Sequence, residues 1–158
     1  MLRVTRLTDY ATVVMTVLAS DPDAIASAAG LAERAGLEAP TVAKLLKPLA
    51  QAGLVSAHRG AAGGYRLARP APEISLFEIV EAMEGPLSMT ECSLHAGTCG
   101  IEQSCGARAN WRRINDVVAD ALRSVSLAQM LDDAGPPLVP RRAATTRARS
   151  IPARLSVS

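Results

Sequence analysis

The part of this chain that most restricts its fold lies between residues 27 and 68. There, two short segments with helical apolar spacing meet across a glycine, and a glycine-rich stretch follows between two strand-like runs. After Ser27, the residues Ala28, Leu31, Ala32 and Ala35 recur on one helical face and stop at Gly36. Pro40 then sits where the first turn of a helix tolerates it, because its missing N–H would have no partner there. Val42, Leu45, Leu46 and Leu49 repeat on one face, and Gly53 marks the stop. Two short helices joined by a tight turn predict a helix-turn-helix. Residues 54–58 and 65–68 read as strands, with Arg59-Gly60-Ala61-Ala62-Gly63-Gly64 as the tip of a hairpin. Helix, turn, helix and hairpin in that order predict a winged helix-turn-helix domain over residues 1–70.

The flanking segments are helical too. Tyr10, Val13, Val14, Val17 and Leu18 predict a helix over residues 8–20, with Thr8 as its cap and Asp21-Pro22-Asp23 as its stop. Ser75 caps a predicted linker helix over 76–84, closed by Gly85-Pro86, and residues 87–107 show no periodicity. A long helix is expected from Arg108 to about residue 125, with an apolar stripe of Trp111, Ile114, Val117, Val118, Ala121, Leu122 and Val125. Residues 127–131 either continue it or form a separate turn. The Arg/Ala/Thr-rich residues 133–158 lack the apolar content to bury a core and are expected to be a disordered basic tail. The fold class is therefore mainly α with a small β-hairpin wing. The hydrophobic fraction of 49% with only 3% aromatic residues implies a core of Ala, Val and Leu, with further apolar surface buried between subunits.

Charge is unevenly placed. Residues 1–70 carry eight Lys/Arg against five Asp/Glu, residues 71–137 carry four against ten, and residues 138–158 carry five Arg and no acid. A basic first half joined to an acidic middle suits a DNA reader joined to a module that does not touch DNA. No apolar run approaches a membrane span and no cleavable signal pattern opens the chain, so a cytoplasmic location and no membrane partner are expected. In the second helix of such a motif the exposed side chains meet base edges. With the four apolar residues inward, that face carries Glu38, Thr41, Ala43, Lys44 and Lys47. Thr41 and Lys44 are placed for bases and Lys47 for phosphate. Arg59 at the hairpin tip is placed for the minor groove, and His58 and Arg66 for phosphates.

All three cysteines, Cys92, Cys99 and Cys105, fall within fourteen positions, separated by six and five residues. An odd number in such a chain points to a metal or redox site rather than a disulfide framework. No CxxC pair occurs, which argues against a zinc ribbon. Widely spaced thiolates on a flexible loop can wrap an object larger than one ion, such as an iron–sulfur cluster. Zinc held by Cys92, His95, Cys99 and Cys105, or metal-free redox-sensing thiols, are the alternatives. Nothing supplies the base or substrate loop that an enzyme would need.

The sequences "LTDYA", "GLVSAHRGAAGGYRLARP" and the three spaced cysteines resemble the Rrf-two (IscR-like) family of winged-helix iron–sulfur regulators. "APTVAKLLK", "EGPLSMTECS" and "CGARANWRRIN" are similar to its subgroup that regulates the SUF iron–sulfur assembly operon. The resemblance spans residues 1 to about 132. It implies a homodimer on a double-stranded, two-fold symmetric DNA operator, and a [2Fe–2S] or [4Fe–4S] cluster on Cys92, Cys99 and Cys105. Residues 71–107 would then be a linker helix and cluster-binding loop. Residues 108–132 would form a dimerisation helix, using Trp111, Ile114, Val118, Leu122 and Val125. Some members use a His three residues after the last Cys as fourth ligand, and here that position is Arg108. In a nitric-oxide-sensing branch an Asp of the first helix serves, contributed by the partner subunit. Asp9 matches it, and His95 is a third candidate.

Overall fold

The computed structural model describes residues 4–89 and 106–132. Six helices and one hairpin are seen there: α1 (Arg6–Ala19), α2 (Ala28–Ala35), α3 (Ala39–Gln51), β1 (Val55–His58), β2 (Gly64–Leu67), α4 (Leu76–Glu84), α5 (Arg108–Arg123) and α6 (Leu127–Leu131). A 3-10 turn at Ala71–Glu73 leads into α4. This is the expected mainly helical winged helix. No helix among the described residues is long and apolar enough to cross a membrane.

Side chains fix most of the helix starts. Thr5 caps α1, Ser27 caps α2, and Ser75 and Ser126 form reciprocal capping boxes at α4 and α6. Gly36, in the left-handed region at φ 66°, ends α2, and its N–H and that of Leu37 return to the last turn. The core lies where α1, α2, α3 and α4 meet. Val14, Met15, Leu31, Leu45, Leu46, Leu49, Leu54, Ile74, Ile79 and Leu127 are fully buried in it. Burial of one such side chain is worth about 1.5–3 kcal/mol.

Two local expectations are corrected, both in the first helix. The first helix begins at Arg6 behind Thr5, and Thr8 is a buried residue of its first turn rather than its cap. Its inward face is Ala11, Val14, Met15 and Leu18, whereas Val13 is exposed. Pro48 lies inside α3, which continues to Gln51 with Leu49 buried beyond the proline. The C-terminal helical region is two helices, because the chain turns at Ser124 and doubles back on the start of α4. There the N–H of Leu76 donates to the Val125 carbonyl at 2.8 Å, and the N–H of Leu127 to the Ile74 carbonyl at 2.7 Å. The Arg123 guanidinium lies 4.1 Å from the centre of the Phe77 ring and fastens α5 to α4.

Candidate nucleic-acid interface

Burial of Val42, Leu45, Leu46 and Leu49 turns the opposite face of α3 outward. On it Ala43, Lys44 and Lys47 are exposed, with Thr41 half-buried at its edge, while Glu38, the N-cap residue, is exposed at the start of the helix in line with the buried stripe. The wing follows directly. Strand pairing sets Val55 against Leu67, Ser56 against Arg66, Ala57 against Tyr65 and His58 against Gly64. Val55 and Leu67 are buried inward, so the period-two alternation puts His58 and Arg66 together on the other face. Arg59 and the turn from Gly60 to Gly63 form the exposed tip, with Gly60 at φ 113° and its carbonyl accepting from the Gly63 N–H at 3.0 Å.

The wing has a third contact that the sequence did not suggest. Ala26, just before α2, bridges Tyr65 of β2: the Ala26 N–H donates to the Tyr65 carbonyl at 2.9 Å, and the Tyr65 N–H to the Ala26 carbonyl at 2.8 Å. A Cβ at Gly64 would stand 2.5 Å from that carbonyl oxygen, so this glycine is required by close approach. His58 is half-buried with its Nε2 atom lacking a hydrogen-bond partner among the described residues, whereas Arg59 and Arg66 are exposed.

Two polar clamps tie this module to α4. Arg69, at the exit of the wing, donates to the Glu78 carboxylate and, at 3.1 Å, to the Glu73 carbonyl. Burial pushes the Glu78 carboxyl up, but hydrogen bonds from the Ser75 N–H, Arg69 and the Ser75 hydroxyl outweigh it and hold the acid below its ordinary value. At the other end, Glu84 accepts from the buried Thr8 hydroxyl and, at 3.0 Å, from the Thr5 N–H. Those bonds, from Thr8 and then Thr5, hold the Glu84 carboxyl below its ordinary value against a smaller effect of burial. The Ser75-x-x-Glu78 spacing is a legible capping signal. The Glu84 clamp joins residues 76 apart in sequence and has no local signature.

Asp9 lies exposed in the first turn of α1, on an open groove of about 560 Å³ that also includes Thr5, Arg6 and Leu122. Its carboxylate makes no hydrogen bond or ion pair among the described residues. Cys92, His95, Cys99 and the last cysteine, Cys105, fall outside the described residues, as does the tail at 133–158. Along α5, Trp111, Ile114 and Val117 are 40%, 42% and 63% exposed, and Val118 and Leu122 are half-buried. Val125 differs: it is buried in its own subunit, because the turn after α5 carries it onto α4.

A helix-turn-helix whose second helix presents lysines, followed by an arginine-tipped hairpin, defines a winged-helix DNA-binding protein. The comparisons with known proteins narrow the class. The family model Rrf2, described as an iron-dependent transcriptional regulator, matches residues 4–133, and the chain belongs to this family. Protein aau3 of Rhizobium meliloti (strain 1021) is 33% identical over 132 residues, covering 82% of this chain and 85% of its own. The HTH-type transcriptional regulator IscR of Photorhabdus laumondii is 32% identical over 105 residues, 66% of this chain and 63% of that protein. Among solved structures, CymR, the global cysteine regulator of B. subtilis, superposes with a TM-score of 0.66 at 29% identity, covering 84% of this chain and 98% of that one. The IscR of T. potens gives 0.63 at 31%, covering 84% and 88%. The chain is a transcriptional regulator of this family and not an enzyme.

Proposed function

We propose that this regulator controls iron–sulfur assembly genes by binding its operator as a homodimer, with Cys92, Cys99 and Cys105 holding an iron–sulfur cluster. One observation carries the reading: three thiols spaced too widely for a zinc ribbon lie inside the stretch matched by an iron-dependent regulator family. The donor set fits such a group. Three thiolates leave one position open, and Asp9 of the partner subunit's α1, exposed and without a partner among the described residues, is the oxygen donor we assign to it, ahead of His95. The bound cluster would supply a redox- and ligand-sensitive centre.

The chain's own residues do the rest. Thr41 and Lys44 meet base edges, and Lys47, Arg59 and Arg66 hold the backbone and minor groove. Trp111, Ile114 and Val117 lie three residues apart on the outer face of α5, an apolar row suited to a second copy, flanked by Val118 and Leu122. Two-fold pairing sets two reading helices about one DNA turn apart. Such a protein works in the cytoplasm, where the chromosome is. The similarity to CymR supports a second reading, in which the same thiols respond to cysteine or oxidants without metal.

Anaerobic purification with a visible spectrum and iron, sulfide and zinc analysis separates these readings. Matched iron and acid-labile sulfide, lost in Cys99→Ala with the dimer retained, is the expected result. One zinc per chain, or no metal at all, overturns it.

A further inference from the structure

Helical spacing sets the centre of the outward face of α3. Ala43, Lys44, Lys47 and Gln51 follow Pro40 by three, four, seven and eleven residues and share one face with it, opposite the buried Val42, Leu45, Leu46 and Leu49. All five are exposed. Alanine and a first-turn proline suit any helix start, so their identity alone marks nothing. Their company does. Pro40 and Ala43 lie one turn apart on the half of the reading helix that meets base edges, and Lys44 stands one turn after Pro40, so the three side chains are neighbours. Lys44 has no acidic partner among the described residues. This end of the face is therefore two small apolar surfaces beside one free ammonium. From Pro40 to Lys47 it holds no side chain that can accept a hydrogen bond.

Each base edge of the major groove can be set against that patch. Cytosine and adenine present amines, from which Lys44 cannot accept, and which Pro40 and Ala43 would strip of water and leave unpaired. Guanine presents two acceptors and nothing apolar. Thymine alone presents a methyl group beside an acceptor, its C5 methyl next to O4. It is the one edge that the patch matches on both counts.

We propose that Pro40, Ala43 and Lys44 form a thymine-reading site, used once in each operator half-site. The C5 methyl packs on Ala43 and Pro40 while the Lys44 ammonium donates to O4. This rests on the reading of α3 as the base-contacting helix. Ala43 and Pro40 are then specificity-determining residues that carry no polar side-chain atom.

The test uses the full-length protein, purified anaerobically, and an operator selected with it from a random duplex library. Each thymine of the selected half-site is replaced singly by uracil, which lacks only the methyl group. One replacement should weaken binding about 3- to 5-fold, the share of one buried methyl group. At the same position a 5-methylcytosine–guanine pair keeps the methyl but turns O4 into an amine, and should weaken binding about 5- to 150-fold. Ala43→Gly should bind the thymine and uracil duplexes of that position equally. Lys44→Ala should no longer distinguish thymine from 5-methylcytosine there. The uracil scan needs no variant, so it decides even where Ala43→Gly fails to fold. Equal binding of thymine and uracil duplexes at every position overturns the proposal, as does a uracil penalty of unchanged size in folded Ala43→Gly. If the wild type enriches no sequence, or Lys44→Ala leaves the selected sequence and its affinity unchanged, the reading of α3 itself falls.

Discussion

Gly64→Ala tests whether the wing is held in place by its backbone bridge to the residue before α2. A methyl group there would stand 2.5 Å from the Ala26 carbonyl oxygen and 2.7 Å from its carbon, and neither backbone atom can rotate away. Reaching an ordinary contact of about 3.4 Å moves the strand by roughly 0.9 Å, which stretches the two bridging bonds of 2.8 and 2.9 Å beyond useful length. Two backbone hydrogen bonds at about 0.5–1.5 kcal/mol each give a loss of about 1–3 kcal/mol. The stiffer unfolded chain returns about 0.4–1 kcal/mol. The expected net destabilisation is about 1–2 kcal/mol, read as a lower urea midpoint with an unchanged slope. The wing tip would also shift away from its DNA contacts, so affinity for a selected operator should fall at least about fivefold. Ala61→Gly, at the exposed turn, is the control and should change neither quantity greatly. Stability and affinity of Gly64→Ala both matching the wild type would refute the close-approach reasoning. Lost stability with full affinity would refute the link between the bridge and DNA binding.

Three further outcomes are expected. Leu45→Ala removes a fully buried side chain from the base of α3 and should destabilise by about 2–5 kcal/mol in denaturant titration, whereas a loss under 1 kcal/mol would mean the core is placed elsewhere. The folded Glu84 carboxyl titrates below its unfolded value, so its contribution is present above about pH 4.3 and is lost as pH falls through the lowered folded value. Glu84→Gln should flatten stability against pH in that acid window, by under about 1 kcal/mol because the group is exposed, and an unaltered profile would remove the clamp. Val117→Glu, at an exposed position, should leave each chain folded within about 0.5 kcal/mol but yield monomers in sedimentation, and a persistent dimer would move the interface off α5.

What the sequence showed and what it hid divide by range. Ser27, Gly36, Gly53 and Ser75 act within a turn of where they sit, and α2, α3, the hairpin and α4 were legible from them. The start of α1 was not, because Thr8 looks like a cap until Glu84, 76 residues away, takes its hydroxyl. Val125 fits the helical stripe by spacing, yet the return of the chain onto Ile74 and Leu76 buries it at home. Gly64 reads as a flexible tip residue, although its role is to let Ala26 approach. On the DNA face, the α3 residues could be named because the four leucine and valine positions opposite them are unambiguous. The cysteine spacing carries chemistry but no geometry.

The two clamps give α4 a place in that chemistry. Nine residues of helix span about 13.5 Å and are too short to persist alone, so α4 is held by its buried Ile79 and Val80 and by polar contacts near its two ends. At its start, Glu78 takes Arg69 from the wing, and Ser75 pairs with Ser126 after α5. At its end, Glu84 takes the first turn of α1, and the segment leading to the cysteines departs at Gly85, one residue on. A pull on that segment therefore reaches Glu84 before any other tertiary contact of the helix. The coupling needed to change operator affinity is about 1–3 kcal/mol. One or two hydrogen bonds of the Glu84 kind are of that size, and much less than the core beneath them. Under the proposed cluster-sensing function, the clamp would thus yield while the winged helix stays folded.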